Sequence, residues 1–191
     1  MTMMLDERTK WSERLQEASK GLPLDLIDYK EKVFRLVEQH MDEKEMFDLC
    51  IKTALENMDE ANPNWTFFAS RLYIEQLYIE ASRNRHYDID EVGNYGNFYN
   101  LLEILTKRGI YTSKLLEKYS KEEITYFGQQ IEPKRDKLFH YLSIYTLATR
   151  YLATDHNKRV YELPQERWMV IAMHLMQNEK KEKRIELVLE A

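Results

Sequence analysis

The chain is short of the residues that punctuate and staple a fold. Its 191 residues include five glycines, four prolines and one cysteine. So few turn formers favour long helices over a turn-rich all-β fold. The lone thiol, Cys50, excludes an internal disulfide framework and any four-cysteine zinc site. No apolar run approaches the roughly 20 residues of a membrane span; Met169 to Met173 is typical of the longest. The N-terminus passes from Met3, Met4 and Leu5 straight to Asp6, Glu7, Arg8 and Lys10, which is not a secretory leader. A cytoplasmic location with no membrane partner is therefore expected. With 28 basic and 33 acidic side chains the net charge is -5, which argues against a nucleic-acid backbone as partner.

Complete catalytic constellations are missing too. None of His40, His86, His140, His156 and His174 forms a Glu-x-x-His or His-Glu-x-x-His pair, so no metal site is expected. Asp136 and His140, four apart on one helix face, could share a ligand, but a hydrogen-bonded pair on a packed helix is the plainer reading. No Gly-x-x-x-x-Gly-Lys or Gly-x-Gly-x-x-Gly cradles a phosphate. Cys50 falls on an apolar helix face, where a thiol is inert packing. Most of the thirteen tyrosines, among them Tyr73, Tyr78, Tyr141 and Tyr145, sit at helical spacing near Leu and Ile and read as core. Lys180, Lys181, Lys183 and Arg184 alternate with Glu179, Glu182 and Glu186, a solvated face rather than an anion site. Neither a catalytic residue nor a bound cofactor is expected in this chain.

What is present is helical signal. Leu5 to Lys20 forms a first helix, ended by Gly21 and Pro23. Leu24 to His40 carries Ile27, Phe34 and Val37 at helical spacing. Asp42 caps a third helix, and Asn62-Pro63 starts a long one reaching Arg85, apolar around much of its circumference and hence buried. His86 to Gly96 reads as loop. Phe98 to Lys107 is a helix closed by Gly109, and Ser120 with Glu123 forms a capping box. Pro133 opens a helix to about Tyr151. Tyr151 to Ala153 and Val160 to Glu162 then read as a small β-hairpin. Pro164 begins a helix through Met176, and Asn178 caps a last one from Glu179. The expected fold is mainly α, a multi-helix orthogonal bundle with a small β-hairpin near residues 151-162. The apolar end, Ile185, Leu187, Val188 and Leu189, reads either as a fold that expects more chain or as a disordered or partner-docked terminus.

Four pieces in order carry a family resemblance. Pro63-Asn-Trp-Thr-Phe-Phe-Ala-Ser-Arg-Leu72 supplies Trp65 and Arg71 at the start of a long helix. Gly109-Ile-Tyr111 precedes Leu115-Leu-Glu-Lys-Tyr119. Arg135-Asp136 is followed by Phe139, Tyr141, Thr146-Leu147 and Arg150-Tyr151-Leu152. Tyr161-Glu-Leu-Pro164-Gln165-Glu166 precedes Met169 and Ala172. Over about residues 47 to 191 this resembles the large (alpha) subunit of class I ribonucleotide reductase, in its N-terminal helical region.

The resemblance implies a place and a set of partners. Residues 62-191 would be the all-α domain that packs on a ten-stranded α/β barrel, the remainder of the alpha subunit. That barrel holds the catalytic cysteines and substrate-phosphate loop, and a metal-bearing beta subunit delivers the radical. The intact enzyme reduces ribonucleoside diphosphates to deoxyribonucleotides for DNA synthesis. The family chemistry needs at least three cysteines, so this chain alone is expected to be inactive. Residues 1-61 look like a partial ATP-cone without its Val-x-Lys-Arg-x-Gly stretch. An ATP or dATP effector stays open for the intact subunit, with Lys30, Lys32, Lys44 and Lys52 as charges that are as readily solvent-facing. The role implied is structural and allosteric, and the apolar end then reads as truncation. Self-association through the apolar faces of Pro63 to Ala81 and Ile185 to Leu189 is an expectation for the isolated chain. The alternative is a stand-alone helical adaptor for a protein partner.

Overall fold

The computed structural model describes residues 5–38 and 40–191; Met1 to Met4, in the segment read as no leader, and Gln39, in the tail of the expected second helix, lie outside the described residues. Among the described residues the chain forms α1 (Leu5–Ser19), α2 (Ile27–Leu36), α3 (Glu43–Glu56), α4 (Trp65–Arg85), α5 (Ile89–Val92), α6 (Phe98–Lys107), α7 (Lys114–Lys118), α8 (Lys121–Gln129), a 3-10 helix (Pro133–Leu138), α9 (Tyr141–Arg150), α10 (Pro164–Met176) and α11 (Lys181–Glu190). Side chains that take over free terminal amides fix several starts. Asp42 accepts from the Glu45 N–H while the Glu45 carboxylate accepts from the Asp42 N–H, both at 2.8 Å. Ser120 and Glu123 repeat this box before α8. Pro164 occupies the first turn of α10, where a missing N–H costs nothing.

The chain divides into two units, with the divisions falling inside α4, the 3-10 helix and α9. Met1–Gln76 with Lys137–Tyr145 is built on aromatics. Tyr29 lies 5.0 Å from Trp65 and edge-on to Phe68, and its hydroxyl donates to the Cys50 carbonyl at 2.7 Å. Trp11 packs edge-on to Phe47, with the Arg14 guanidinium against both rings. Leu77–Asp136 with Thr146–Ala191 has an apolar core that includes Leu101, Leu102 and Leu105 from α6, Ile124 and Phe127 from α8, Val170 and Met173 from α10 and Val188 from α11.

The expected β-hairpin does not form. Among the described residues the region holds one isolated antiparallel bridge, Thr154 with Val160. Side chains divert the ladder. Asp155 takes the Asn157 and Arg159 amides, an Asx-type turn. The Val160 amide goes to Glu80 and its carbonyl to Asn84. The Ala153 amide goes to the Glu162 carboxylate. Tyr151 and Leu152 still bond back to Leu147, as the end of α9.

The expected helix from Pro133 to Tyr151 is instead a 3-10 turn, a break at Phe139-His140, and α9. The tighter turn directs Asp136 inward, where it is 1% exposed. Helix α2 begins at Ile27 rather than Leu24, and Asp25 accepts the Ile27 amide. The expected loop 86–96 contains the short α5, capped by Asp88. Helix α11 starts at Lys181, two residues later than expected. The apolar girdle of Pro63 to Ala81 is used internally: Trp65, Phe68, Leu72, Ile74 and Leu77 are all buried. Among the described residues no helix is long and apolar enough to cross a membrane.

Candidate functional site

Four carboxylates lie buried in the second unit: Glu123, paired with Arg184 at 2.9 Å, and three that gather around the start of α10. Asp136 comes from the 3-10 turn, Glu162 from the stretch before Pro164, and Glu166 from the first turn of α10. An unpaired buried carboxylate is strongly disfavoured, so each must be met by donors.

Asp136 Oδ2 accepts from the Tyr78 and Tyr95 hydroxyls, the latter at 2.7 Å, and Oδ1 accepts from Gln165 Nε2 at 2.9 Å. Gln165 is itself clamped. Its Nε2 also donates to the Glu132 carbonyl at 2.8 Å, and its Oε1 accepts the Glu132 amide at 3.0 Å. Glu166 accepts from Arg85 Nη1 at 2.9 and 3.1 Å and from the Leu163 amide at 2.8 Å. Arg85 Nη2 continues to the carbonyls of Tyr95 and Asn97. Glu162 accepts from the Tyr111 hydroxyl and the Ala153 amide, and Arg167 Nε lies 2.9 Å from its Oε2.

All six oxygens of these three carboxylates are therefore engaged. Burial pushes the Asp136 and Glu162 carboxyls above the usual carboxylate range, against the pull of their donors. Burial raises Glu166 to about 7, opposed chiefly by Arg85. The same burial, with a carboxylate alongside, lifts the hydroxyls of Tyr78, Tyr95 and Tyr111. Saturated groups of this kind form a clasp. They fix the N-terminal end of α10 to the last turns of α4, the loop at Tyr95 and the 3-10 turn.

Five residues from the pieces that carry the family resemblance take part here: Tyr111, Asp136, Glu162, Gln165 and Glu166, of which Asp136 meets Gln165 and Tyr111 meets Glu162 directly. Pro164 precedes Gln165 in the same helix turn. Trp65, Arg71, Arg135, Tyr141, Arg150 and Tyr151 lie elsewhere. Trp65 stands in the aromatic core of the first unit. Arg71 donates to the carbonyls of Ala18 and Lys20 at 2.8 and 2.7 Å, closing the end of α1. Arg135 is exposed and paired with Glu132. Tyr141 stacks on Tyr145, with Tyr73 edge-on. Arg150 and Tyr151 are exposed at the end of α9.

The shared-ligand reading of Asp136 and His140 gives way: Asp136 takes the donors above, and His140 engages Ser143. Among the described residues no group of three or more His, Cys, Asp or Glu side chains is placed to hold a metal ion. Of the four lysines near the cone-like stretch, Lys30 donates to Gln16 and Lys32 pairs with Glu56.

Sequence reasoning missed Arg85, Tyr95 and Arg167, and it quoted Tyr111, Glu162 and Glu166 within the resemblance without giving them a buried role. A signal was present for the acids: Glu162 and Glu166 stand among Val160, Tyr161, Leu163 and Pro164, where a carboxylate that is buried demands partners.

The sequence has relatives among known proteins. The profile described as ribonucleotide reductase, all-alpha domain, matches residues 137–191. The ribonucleoside-diphosphate reductase subunit alpha of Helicobacter pylori is 36% identical over 144 residues, covering 75% of this chain and 17% of that protein. The Treponema pallidum subunit alpha is 31% identical over 142 residues, 74% of this chain and 16% of its own length. That of Enterobacteria phage T4 is 29% identical over 168 residues, 86% and 21% respectively. The chain thus spans about a sixth to a fifth of the length of the curated relatives it matches.

Proposed function

This chain carries the N-terminal all-α region of a class I ribonucleotide reductase large subunit, and from that we propose that it serves as the helical brace of a ribonucleoside-diphosphate reductase alpha subunit in the cytoplasm. In that role it contributes scaffold, while the reduction of ribonucleoside diphosphates is carried out by the rest of the alpha subunit with a radical from a beta subunit. The observation that carries the reading is the identity of 36% over three quarters of the chain with a reductase alpha subunit. The clasp supports it: Asp136 and Gln165, both within the resemblance, are spent on holding α10 in place.

The chain by itself is inactive in this reading. The family chemistry runs on thiols, and Cys50 is buried with its thiol pushed up to about 12 by desolvation. An ATP or dATP effector at residues 24 to 61 belongs to the same proposal for the intact subunit. The test is purification of the tagged chain from its native host, followed by assay for nucleoside-diphosphate reduction. The expected outcome is activity that travels with a reductase alpha polypeptide, continuous with the chain or complexed to it, and none from the isolated 191 residues. A chain that never accompanies reductase polypeptide would overturn the proposal in favour of an adaptor.

A further inference from the structure

We draw no further inference here: the strongest candidate, the exposed apolar stripe of Trp168, Ile171 and Leu175 on helix α10, carries nothing because no feature of the structure shows what covers it.

Discussion

Asp136 Oδ1 accepts a hydrogen bond from Gln165 Nε2 at 2.9 Å, joining the 3-10 turn to the first turn of α10 across 29 residues of sequence. The carboxylate is 1% exposed, and two tyrosine hydroxyls complete its shell. Asp136→Ala strands those donors. It should lower stability by about 1–3 kcal/mol, the cost of leaving buried partners unmet. With Gln165→Ala it should form a non-additive pair, coupled by about 0.5–3 kcal/mol in a double-mutant cycle. Urea midpoints check both, and a midpoint unmoved by Asp136→Ala would show the carboxylate to be merely solvated.

Arg85 and Glu166 are the more costly pair to break. Their side chains are 2% and 0% exposed, and no water replaces a lost partner. Arg85→Met leaves a buried carboxylate unpaired and should cost about 3–5 kcal/mol. Adding Glu166→Gln removes the stranded charge and should recover part of that loss. Calorimetry on the single and double variants measures it; a double variant less stable than Arg85→Met would contradict the ion-pair account.

Local signals were legible in the sequence, and long-range ones were not. The Asp42–Glu45 and Ser120–Glu123 boxes and the Pro164 start depend on residues within four positions of one another, so their pattern alone locates α3, α8 and α10. The helix expected from Pro133 failed because the backbone at Asp136 answers to Tyr78, Tyr95 and Gln165, partners far away in the chain. The hairpin failed for a related reason. Residues 151–162 have strand-like composition, but Glu80, Asn84 and Glu162 take the amides and carbonyls that a ladder needs. At the candidate site, Asp136 and Gln165 were visible through resemblance. Arg85 was not, because an arginine at the end of a long helix looks solvated until its partner on α10 is known.

The clasp carries a pH signature. Asp136, Glu162 and Glu166 all have folded-state values raised by burial, Glu166 to about 7. A carboxyl raised on folding contributes stability that is fully present below its unfolded value, about 4–4.5. That contribution fades as pH climbs through the folded value. Stability should therefore fall between about pH 4.5 and 7.5 from these groups, by no more than about 1.4 kcal/mol per pH unit for each proton released. Glu123, held low by its Ser120 amide and Arg184 contacts, acts in the opposite sense at lower pH. Glu166→Gln removes the proton with the highest folded value, so its urea midpoint should vary less from pH 5 to pH 8 than that of the wild type. Equal slopes would show that Glu166 stays ionised throughout.

Cys50 tests the packing of the first unit. Its side chain is 0% exposed on the inner face of α3, and its own carbonyl accepts the Tyr29 hydroxyl at 2.7 Å. Desolvation raises the thiol to about 12, so the reactive thiolate is scarce near neutrality. Both effects protect it, and the first dominates, because an aromatic disulfide reagent has no route to a sealed sulfur. Labelling of the native protein at pH 8 should then wait on opening of α2 from α3. For a domain of ordinary stability that makes it at least about a thousandfold slower than labelling in denaturant. Tyr29→Phe keeps the ring in its place between Trp65 and Phe68 but loses the bond to the carbonyl. It should cost about 1 kcal/mol and speed labelling roughly fivefold if opening separates those helices. Labelling of the wild type at the denatured rate would mean that α2 does not cover Cys50 in solution.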